Sequence, residues 1–171
     1  MALAVVGGGR RCGKSRFALA LASAHGPRLG FVATFVPTDE EGRQKVEQAR
    51  RERGPSFATT EEPIQVPQVL EGRGELFDAI VVDDLTAWVS NLAVEGRSDA
   101  EVEAEAERLI RISQTGETEI VIVTSDVDFG FPVDSAASSR FRRLAGFINR
   151  RMAESATRVY WMVFGIPTRI R

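Results

Sequence analysis

Short apolar runs alternate along the chain with longer charged or amphipathic stretches. Most of these runs are rich in β-branched residues and end beside glycine, threonine or aspartate. Continuous runs of this kind are typical of strands that are buried on both faces, as in a parallel sheet. The pattern predicts strands at residues 3–6, 30–33, 79–82, 120–123 and 159–164.

The stretches between these runs have the composition and spacing of helices. Ser98 stands where a helix N-cap is expected, and apolar residues recur at helical spacing after residue 140. Residues 54–74 carry neither pattern, so they are predicted to form an irregular surface region. The predicted helices are residues 15–24, 39–53, 85–92, 98–112 and 135–156.

Strands that alternate with helices predict an α/β fold with a mostly parallel sheet and flanking helices. Gly165 and Pro167 indicate a turn, after which residues 168–170 return as a C-terminal antiparallel strand. The length of 171 residues falls within the roughly 100–200 residues of one domain. We therefore expect residues 1–171 to form a single domain.

Composition excludes several classes of function. Lys and Arg total 22 against 24 Asp and Glu, and a net charge of −2 gives no general attraction to nucleic acid or anionic lipid. The single cysteine cannot form an internal disulfide, and no apolar run approaches the roughly 20 residues that span a bilayer. The first residues lack the basic start of a signal peptide. We expect a cytoplasmic protein with no membrane span and no nucleic-acid partner.

The segment after the first predicted strand fits the phosphate-binding pattern G-x-x-x-x-G-K-[ST] at every fixed position. It stands between a strand and a helix, where backbone N–H groups and a helix N-terminus converge on a phosphate. Lys14 is predicted to reach the terminal phosphates, and the Ser15 hydroxyl to bind Mg²⁺. Cys12, at a variable position, is either a filler residue or a reactive thiol. The predicted nucleotide-binding residues are Gly8, Gly9, Arg10, Arg11, Cys12, Gly13, Lys14 and Ser15.

A second Mg²⁺ ligand is predicted at the end of another strand. The run at 79–82 brings Asp83 to the carboxyl end of the sheet, which is the edge where open α/β sheets bind ligands. Asp83 is therefore the predicted carboxylate on the Mg²⁺ side, together with Ser15. The adjacent Asp84 is either a base or, in the interpretation we favour, the N-cap of the helix at 85–92.

Arginines are clustered in two helical stretches, and guanidinium groups bind phosphates well. Charged runs of this kind most often lie on solvated helix faces, and we expect the same of most residues here. The two clusters are Arg50, Arg51 and Arg53, and Arg140, Arg142, Arg143, Arg150 and Arg151.

Further segments follow the phosphate loop in a fixed order: Val32-Ala33-Thr34, Asp83 with residues 85–86 and 89–92, residues 123–127 ahead of Gly130, Arg140-Phe141-Arg142 with Gly146 and Asn149, and residues 163–167. Together they resemble the bifunctional adenosylcobinamide kinase and adenosylcobinamide-phosphate guanylyltransferase family of cobalamin biosynthesis. The resemblance covers nearly the whole chain.

This resemblance implies a P-loop, RecA-like sheet protein, which in that family is often a homotrimer. It also implies an enzyme that binds ATP or GTP with Mg²⁺ and a corrinoid-like small molecule. Such an enzyme phosphorylates the aminopropanol hydroxyl of adenosylcobinamide and then transfers GMP to the new phosphate.

The second activity in that family passes through a guanylylated histidine on the helix after the second strand. Gln48 and Ala49 occupy the corresponding place here, and neither side chain can form a phosphoramidate. The only histidine, His25, lies eleven positions after Lys14, roughly 16 Å along a helix. We expect His25 at a helix end, towards the opposite edge of the sheet.

Two other stretches depart from the family pattern near the expected ligand edge. Its Asn-Glu-Val-Gly segment is Ser125-Asp126-Val127-Asp128 here, and residues 35–38 are Phe-Val-Pro-Thr where small polar residues are expected. Asp126 becomes our candidate carboxylate on the acceptor side, and the identity of the acceptor stays open.

Three functions follow from these observations. The first is a Mg²⁺-dependent kinase that acts on a cobinamide-like alcohol, with Lys14, Asp83 and Asp126 as its catalytic residues. The second is a non-catalytic nucleotide-binding module, or a repurposed relative with a different acceptor. The third is guanylyl transfer by direct attack of the substrate phosphate on GTP, with no covalent enzyme.

Overall fold

The computed structural model describes residues 3–127 and 135–171. Within these residues, seven strands form one sheet: β1 (Leu3–Gly8), β2 (Leu29–Ala33), β3 (Phe57–Glu61), β4 (Ala79–Asp83), β5 (Glu119–Val123), β6 (Arg158–Val163) and β7 (Ile166–Arg169). Their order across the sheet is β3-β2-β4-β5-β1-β6-β7. The first six strands run parallel, and β7 pairs antiparallel with β6 at one edge.

In the described part of the chain, six α-helices connect or flank these strands: α1 (Lys14–Ser23), α2 (Glu40–Arg53), α3 (Val66–Arg73), α4 (Leu85–Val94), α5 (Asp99–Thr115) and α6 (Ala136–Ser155). Ser98 caps α5, because its hydroxyl accepts from the Glu101 backbone N–H while the Glu101 carboxylate accepts from the Ser98 N–H. This capping box confirms the predicted start of that helix. Across the described ranges, no helix has both the length and the apolarity needed to cross a membrane.

Helices cover both faces of the sheet because side chains alternate along each strand. In β1, Leu3 and Val5 belong to a core on the side of α3, α4, α5 and α6, whereas Ala4 and Val6 pack on the side of α1. Trp88 of α4 is fully buried in the larger core, and its indole N–H donates to the Ile64 carbonyl at 2.7 Å. The sheet is therefore enclosed, and its carboxyl edge is the place that remains for a ligand.

The predicted α/β fold, with a mostly parallel sheet and a C-terminal antiparallel strand, is confirmed. The prediction of an irregular region at 54–74 is wrong, because this segment contains β3, α3 and the short 3-10 helix Gly74–Leu76. Strand β3 lies at the sheet edge and buries only Phe57, so it shows no apolar run. In α3, Pro67 stands in the first turn, where proline leaves no intrahelical hydrogen bond unmade.

Candidate active site

Backbone geometry forms the phosphate loop between β1 and α1. Gly8 has φ +149°, and a Cβ there would approach the Cys12 Sγ atom to 2.8 Å. Gly13, at the N-cap of α1, is left-handed with φ 90°. Gly8 therefore favours glycine for reasons of backbone and space, and Gly13 for its backbone conformation alone. Cys12 packs against the smaller core, as expected of a filler residue.

The first two residues of α1 are the predicted phosphate ligand, Lys14, and the predicted Mg²⁺ ligand, Ser15. Lys14 is buried, and its ammonium donates to the Gly9 carbonyl at 2.6 Å. Ser15 and the loop arginines Arg10 and Arg11 are exposed at the same end of the helix. The predicted nucleotide-binding residues thus surround the positive end of α1, where an anion is stabilised.

Asp83 and Asp84 lie at the centre of the same sheet edge. Asp83 ends β4, in register with Ala33 of β2 and Val123 of β5. The buried Thr34 hydroxyl donates to the Asp84 carbonyl at 2.7 Å and accepts from the Asp84 N–H at 2.8 Å. The Asp84 carboxylate in turn accepts from the Ala87 N–H at 2.6 Å, which confirms Asp84 as the N-cap of α4.

The electrostatics of Asp83 are those of an enclosed carboxylate. Burial raises the pKa of Asp83 to about 6, and the negative charge of Asp84 acts in the same direction. The Ser15 hydroxyl and the positive charges of Lys14 and Arg53 oppose this rise without cancelling it. Burial likewise raises the pKa of Asp84. Lys14 and Ser15 therefore lie close to the Asp83 carboxylate, and the charged form of this carboxylate needs a nearby cation.

This donor set suits Mg²⁺. A hydroxyl and a carboxylate are hard oxygen ligands, and Mg²⁺ at phosphate sites uses one or two carboxylates plus phosphate oxygens and water. Within residues 3–127 and 135–171, no cluster of three or more His, Cys, Asp or Glu side chains could hold a metal ion. The residues that would hold Mg²⁺ are Ser15 and Asp83, as the sequence predicts.

Two cavities meet at Asp83. The first, which we call the apolar cavity, has a volume of about 480 Å³ and lies between the end of β2, α2 and α4. The second, the loop-side cavity, has a volume of about 410 Å³ and is bordered by Ser15 and Arg16. Phe31, Ala49, Arg53 and Asp83 line both. The apolar cavity is otherwise formed mainly by Ala33, Phe35, Val36, Pro37, Val46, Pro63 and Ala87.

Arg53 is a site residue that the sequence did not distinguish from its neighbours. It ends α2, it is half-buried, and its guanidinium carbon lies 3.8 Å from the centroid of the Phe31 ring. Burial lowers its pKa, while the charge of Asp83 raises it. The other arginines of this cluster follow the expectation of a solvated face, since Arg50 pairs with Glu61 and Arg51 with Glu47.

The second arginine cluster also forms mostly surface ion pairs. Arg140 and Arg143 of α6 both pair with Asp99 at the start of α5. Further along the same helix, Arg150 and Arg151 pair with Glu154. These contacts fit the prediction that most of the clustered arginines lie on wet helix faces.

Asp126 follows β5 on a loop that a buried polar network holds in place. The Thr124 hydroxyl donates to the Asn149 side-chain carbonyl at 2.6 Å, and the Asn149 amide donates to the Ser125 carbonyl at 3.1 Å. The Ser125 N–H donates to the Thr86 hydroxyl at 2.9 Å. Asp126 itself is half-buried and, in the described part of the chain, lines neither cavity at Asp83. Asp128 and Gly130 lie outside the described residues.

No histidine lies at the site. Ala49 lines both cavities, and Gln48 is exposed, with its amide donating to the Glu52 carboxylate at 2.9 Å. His25 follows the end of α1 and lies 4.0 Å from the Glu119 carboxylate and 3.3 Å from the Arg158 guanidinium. Because β5 and β6 begin at Glu119 and Arg158, His25 is at the edge opposite the phosphate loop, as predicted.

Comparison with known proteins identifies the family of this chain. The family described as "Cobinamide kinase / cobinamide phosphate guanyltransferase" matches residues 4–170 of this chain. The bifunctional adenosylcobalamin biosynthesis protein CobP of Pseudomonas aeruginosa is 30% identical over 162 residues, covering 94% of this chain and 92% of the relative. The corresponding protein CobU of Escherichia coli is 27% identical over 179 residues, covering 98% of each.

Solved structures share the architecture at much lower identity. The flagellar accessory protein FlaH from Methanocaldococcus jannaschii has a TM-score of 0.59 and 15% identity, covering 99% of this chain and 78% of that chain. At this identity the likeness shows the fold alone. It confirms the predicted P-loop, RecA-like fold.

Proposed function

This chain belongs to the cobinamide kinase / cobinamide phosphate guanyltransferase family, and from that premise we propose that it is a Mg²⁺-dependent kinase for adenosylcobinamide. The phosphoryl donor is ATP or GTP, and the acceptor is the aminopropanol hydroxyl. One observation carries the proposal: Ser15 of the phosphate loop and Asp83 at the end of β4 line the same loop-side cavity, next to the buried Lys14. A strand, a glycine loop, a helix and a carboxylate in this relation suit phosphoryl transfer, which depends on positioning and charge.

In the proposed reaction, the acceptor hydroxyl oxygen attacks the γ-phosphorus of the nucleotide. The bond from that phosphorus to the β,γ-bridging oxygen breaks, and the nucleoside diphosphate leaves with the electron pair. The loop N–H groups and the Lys14 ammonium hold the β- and γ-phosphate oxygens. Ser15 and Asp83 would hold Mg²⁺, which would neutralise the negative charge of the phosphates. Asp126 stays our prediction for the carboxylate on the acceptor side, and the hydroxyl proton is released to water.

The missing histidine favours a second proposed activity by a direct route. Because Ala49 lines the cavities at Asp83, the site offers no imidazole to carry a guanylyl group. If GMP is transferred, the phosphate of the kinase product attacks the α-phosphorus of GTP, and pyrophosphate leaves.

A cytoplasmic location and a homo-oligomeric, trimeric assembly stay predictions, as does a single domain over residues 1–171.

The kinase proposal is tested by incubating the protein with Mg²⁺, γ-labelled ATP or GTP and adenosylcobinamide. We expect label to appear on the corrinoid, and no label when EDTA replaces Mg²⁺. Nucleotide binding without label on any corrinoid would overturn the proposal and favour a non-catalytic nucleotide-binding module or a different acceptor.

The direct route predicts a specific negative result with α-labelled GTP. After incubation and denaturation, we expect no acid-labile label on the protein, because a phosphoramidate needs a histidine at the site. Label on the corrinoid product under the same conditions would support direct guanylyl transfer. Acid-labile label that remains on the denatured chain would contradict it and indicate a covalent route.

A further inference from the structure

The Arg53 side chain is stacked on an aromatic ring but forms no ion pair within the described residues. Its guanidinium is stacked on Phe31 at 3.8 Å, and across residues 3–127 and 135–171 no carboxylate oxygen lies within 4.0 Å of its nitrogens. By contrast, Arg50 and Arg51, on the same turn of α2, each pair with a glutamate. An arginine that is partly desolvated and stacked loses little freedom when it binds an anion, and its fork of N–H groups matches phosphate oxygens.

The location of Arg53 indicates which anion it meets. It lines both the loop-side cavity, which borders Ser15, and the apolar cavity, which lies beyond Asp83. Arg53 therefore lies between a nucleotide bound at the phosphate loop and a ligand bound in the apolar cavity. Asp83 lines the same two cavities, so the Arg53 guanidinium lies at the predicted transfer site.

The apolar cavity suits an acceptor that has an apolar arm, although Lys45 and Glu61 also line it. Phe35, Val36, Pro37 and Val46 give it an apolar wall, and its volume is about 480 Å³. Pockets of roughly 300–1,000 Å³ bury drug-sized ligands, and a whole corrinoid is larger than these. The cavity therefore has room for an apolar arm that carries a hydroxyl, with the bulk of the acceptor outside.

We propose that Arg53 is a catalytic residue that binds the phosphoryl group during its transfer from the nucleotide at the phosphate loop to an alcohol in the apolar cavity. This inference rests on the proposed kinase activity. In the transition state, negative charge spreads over the three oxygens of the transferred group. A guanidinium at the junction of the two cavities neutralises that charge more strongly than it binds the ground-state nucleotide, which raises kcat without changing the affinity for nucleotide.

The test uses a mimic of the transferred phosphoryl group, so it does not require the acceptor to be known. Aluminium fluoride with Mg²⁺ and ADP or GDP imitates the transferred phosphoryl group. In the wild-type protein, we expect aluminium fluoride to tighten nucleoside diphosphate binding at least about tenfold, as charge-assisted hydrogen bonds would. In Arg53→Gln we expect that gain to fall below about threefold, while binding of the diphosphate alone is unchanged.

Two further variants separate charge from structure. Arg51→Gln is the matched control, since Arg51 is 79% exposed and pairs with Glu47 at 3.3 Å; its aluminium fluoride gain should equal that of the wild type. Arg53→Lys keeps the charge and loses the fork, so it should recover part of the gain. In the kinase assay, Arg53→Gln should lower kcat by about 10- to 100-fold with KM for nucleotide within about twofold.

The outcomes distinguish this inference from the kinase proposal. If aluminium fluoride behaves as expected but no corrinoid is phosphorylated, the acceptor is wrong and the role of Arg53 stands. If aluminium fluoride has no effect on the wild type, or an equal effect on the wild type and Arg53→Gln, the inference is overturned. A loss of diphosphate affinity in Arg53→Gln equal to the loss with aluminium fluoride also overturns it, because it indicates a structural or ground-state role.

Discussion

Replacing Lys14 by alanine is expected to lower the kinase kcat/KM by roughly 1,000-fold or more, because this ammonium is the one positive side chain fixed inside the phosphate loop. Lys14 is 8% exposed, and its Nζ atom already lies 2.6 Å from the Gly9 carbonyl. It therefore needs little reorganisation to meet the terminal phosphates. The measurement is initial-rate kinetics with γ-labelled nucleotide and adenosylcobinamide.

The fold should survive this substitution. The Gly9 carbonyl that loses its donor is exposed to water, and a buried ammonium is itself costly when no anion is bound. We expect the free energy of unfolding of Lys14→Ala to stay within about 1 kcal/mol of the wild type. Arg51→Gln serves again as the control for loss of a positive charge. Turnover by Lys14→Ala within about tenfold of the wild type would contradict the assignment of the loop.

Local signals explain which parts of the site were predictable from sequence. An apolar strand, glycines at fixed spacing and Lys14-Ser15 define the loop within a dozen residues. A second apolar strand likewise places Asp83, and an N-cap preference places Asp84. The observed bounds of these strands and helices differ from the predicted ones by at most two residues, because neighbouring residues determine them.

Elements that depend on distant partners were missed. Strand β3 forms because β2 supplies a parallel partner, while its own sequence, Phe-Ala-Thr-Thr-Glu, buries a single residue. Tertiary pairing of this kind outweighs weak local preference. Arg53 was missed because three arginines within four positions look alike in sequence. Its spacing from Val46 and Ala49, seven and four residues, places all three on one helix face, and that signal could have separated it from Arg51.

Replacing Asp83 by asparagine is expected to lower the kinase activity strongly and to stabilise the ligand-free protein. Loss of the Mg²⁺ carboxylate should lower kcat/KM by about 100- to 1,000-fold. At pH 7 the free energy of unfolding, measured in urea with EDTA present, should rise by about 1 to 2 kcal/mol. The reason is that the native site raises the pKa of Asp83 from 3.8 to about 6, so the charged form is disfavoured by folding. Full conversion of this rise gives about 3 kcal/mol, reduced because Asp83 keeps contact with water and the amide is also desolvated.

The difference in the free energy of unfolding between Asp83→Asn and the wild type should depend on pH in a defined direction. Below pH 3.8 the carboxyl is protonated in both the folded and the unfolded chain, so asparagine and aspartate should be equally stable. Between pH 3.8 and about 6 the folded state binds the proton more tightly, and the wild type loses stability relative to Asp83→Asn as the pH rises. Above about pH 7 the difference should be constant.

Asp99→Asn provides a control of opposite sign. The side chains of Arg143 and Arg140 hold the pKa of Asp99 below its usual value, so that carboxylate stabilises the folded state at neutral pH. We expect Asp99→Asn to be less stable than the wild type at pH 7, with the difference vanishing as the pH falls through the pKa of Asp99 in the folded protein.

Mg²⁺ and nucleotide should reverse the order of stability. A ligand that binds only the folded state stabilises it by mass action, and the wild type retains the carboxylate that Asp83→Asn lacks. With saturating Mg²⁺ and a nonhydrolysable triphosphate, the melting temperature of the wild type should therefore exceed that of the variant. An Asp83→Asn protein that is less stable than the wild type without ligand at pH 7, or that gains as much from Mg²⁺ and nucleotide, would contradict this. The first result would show that burial of the Asp83 carboxylate does not destabilise the folded protein. The second would show that this carboxylate does not contribute to binding of Mg²⁺ and nucleotide.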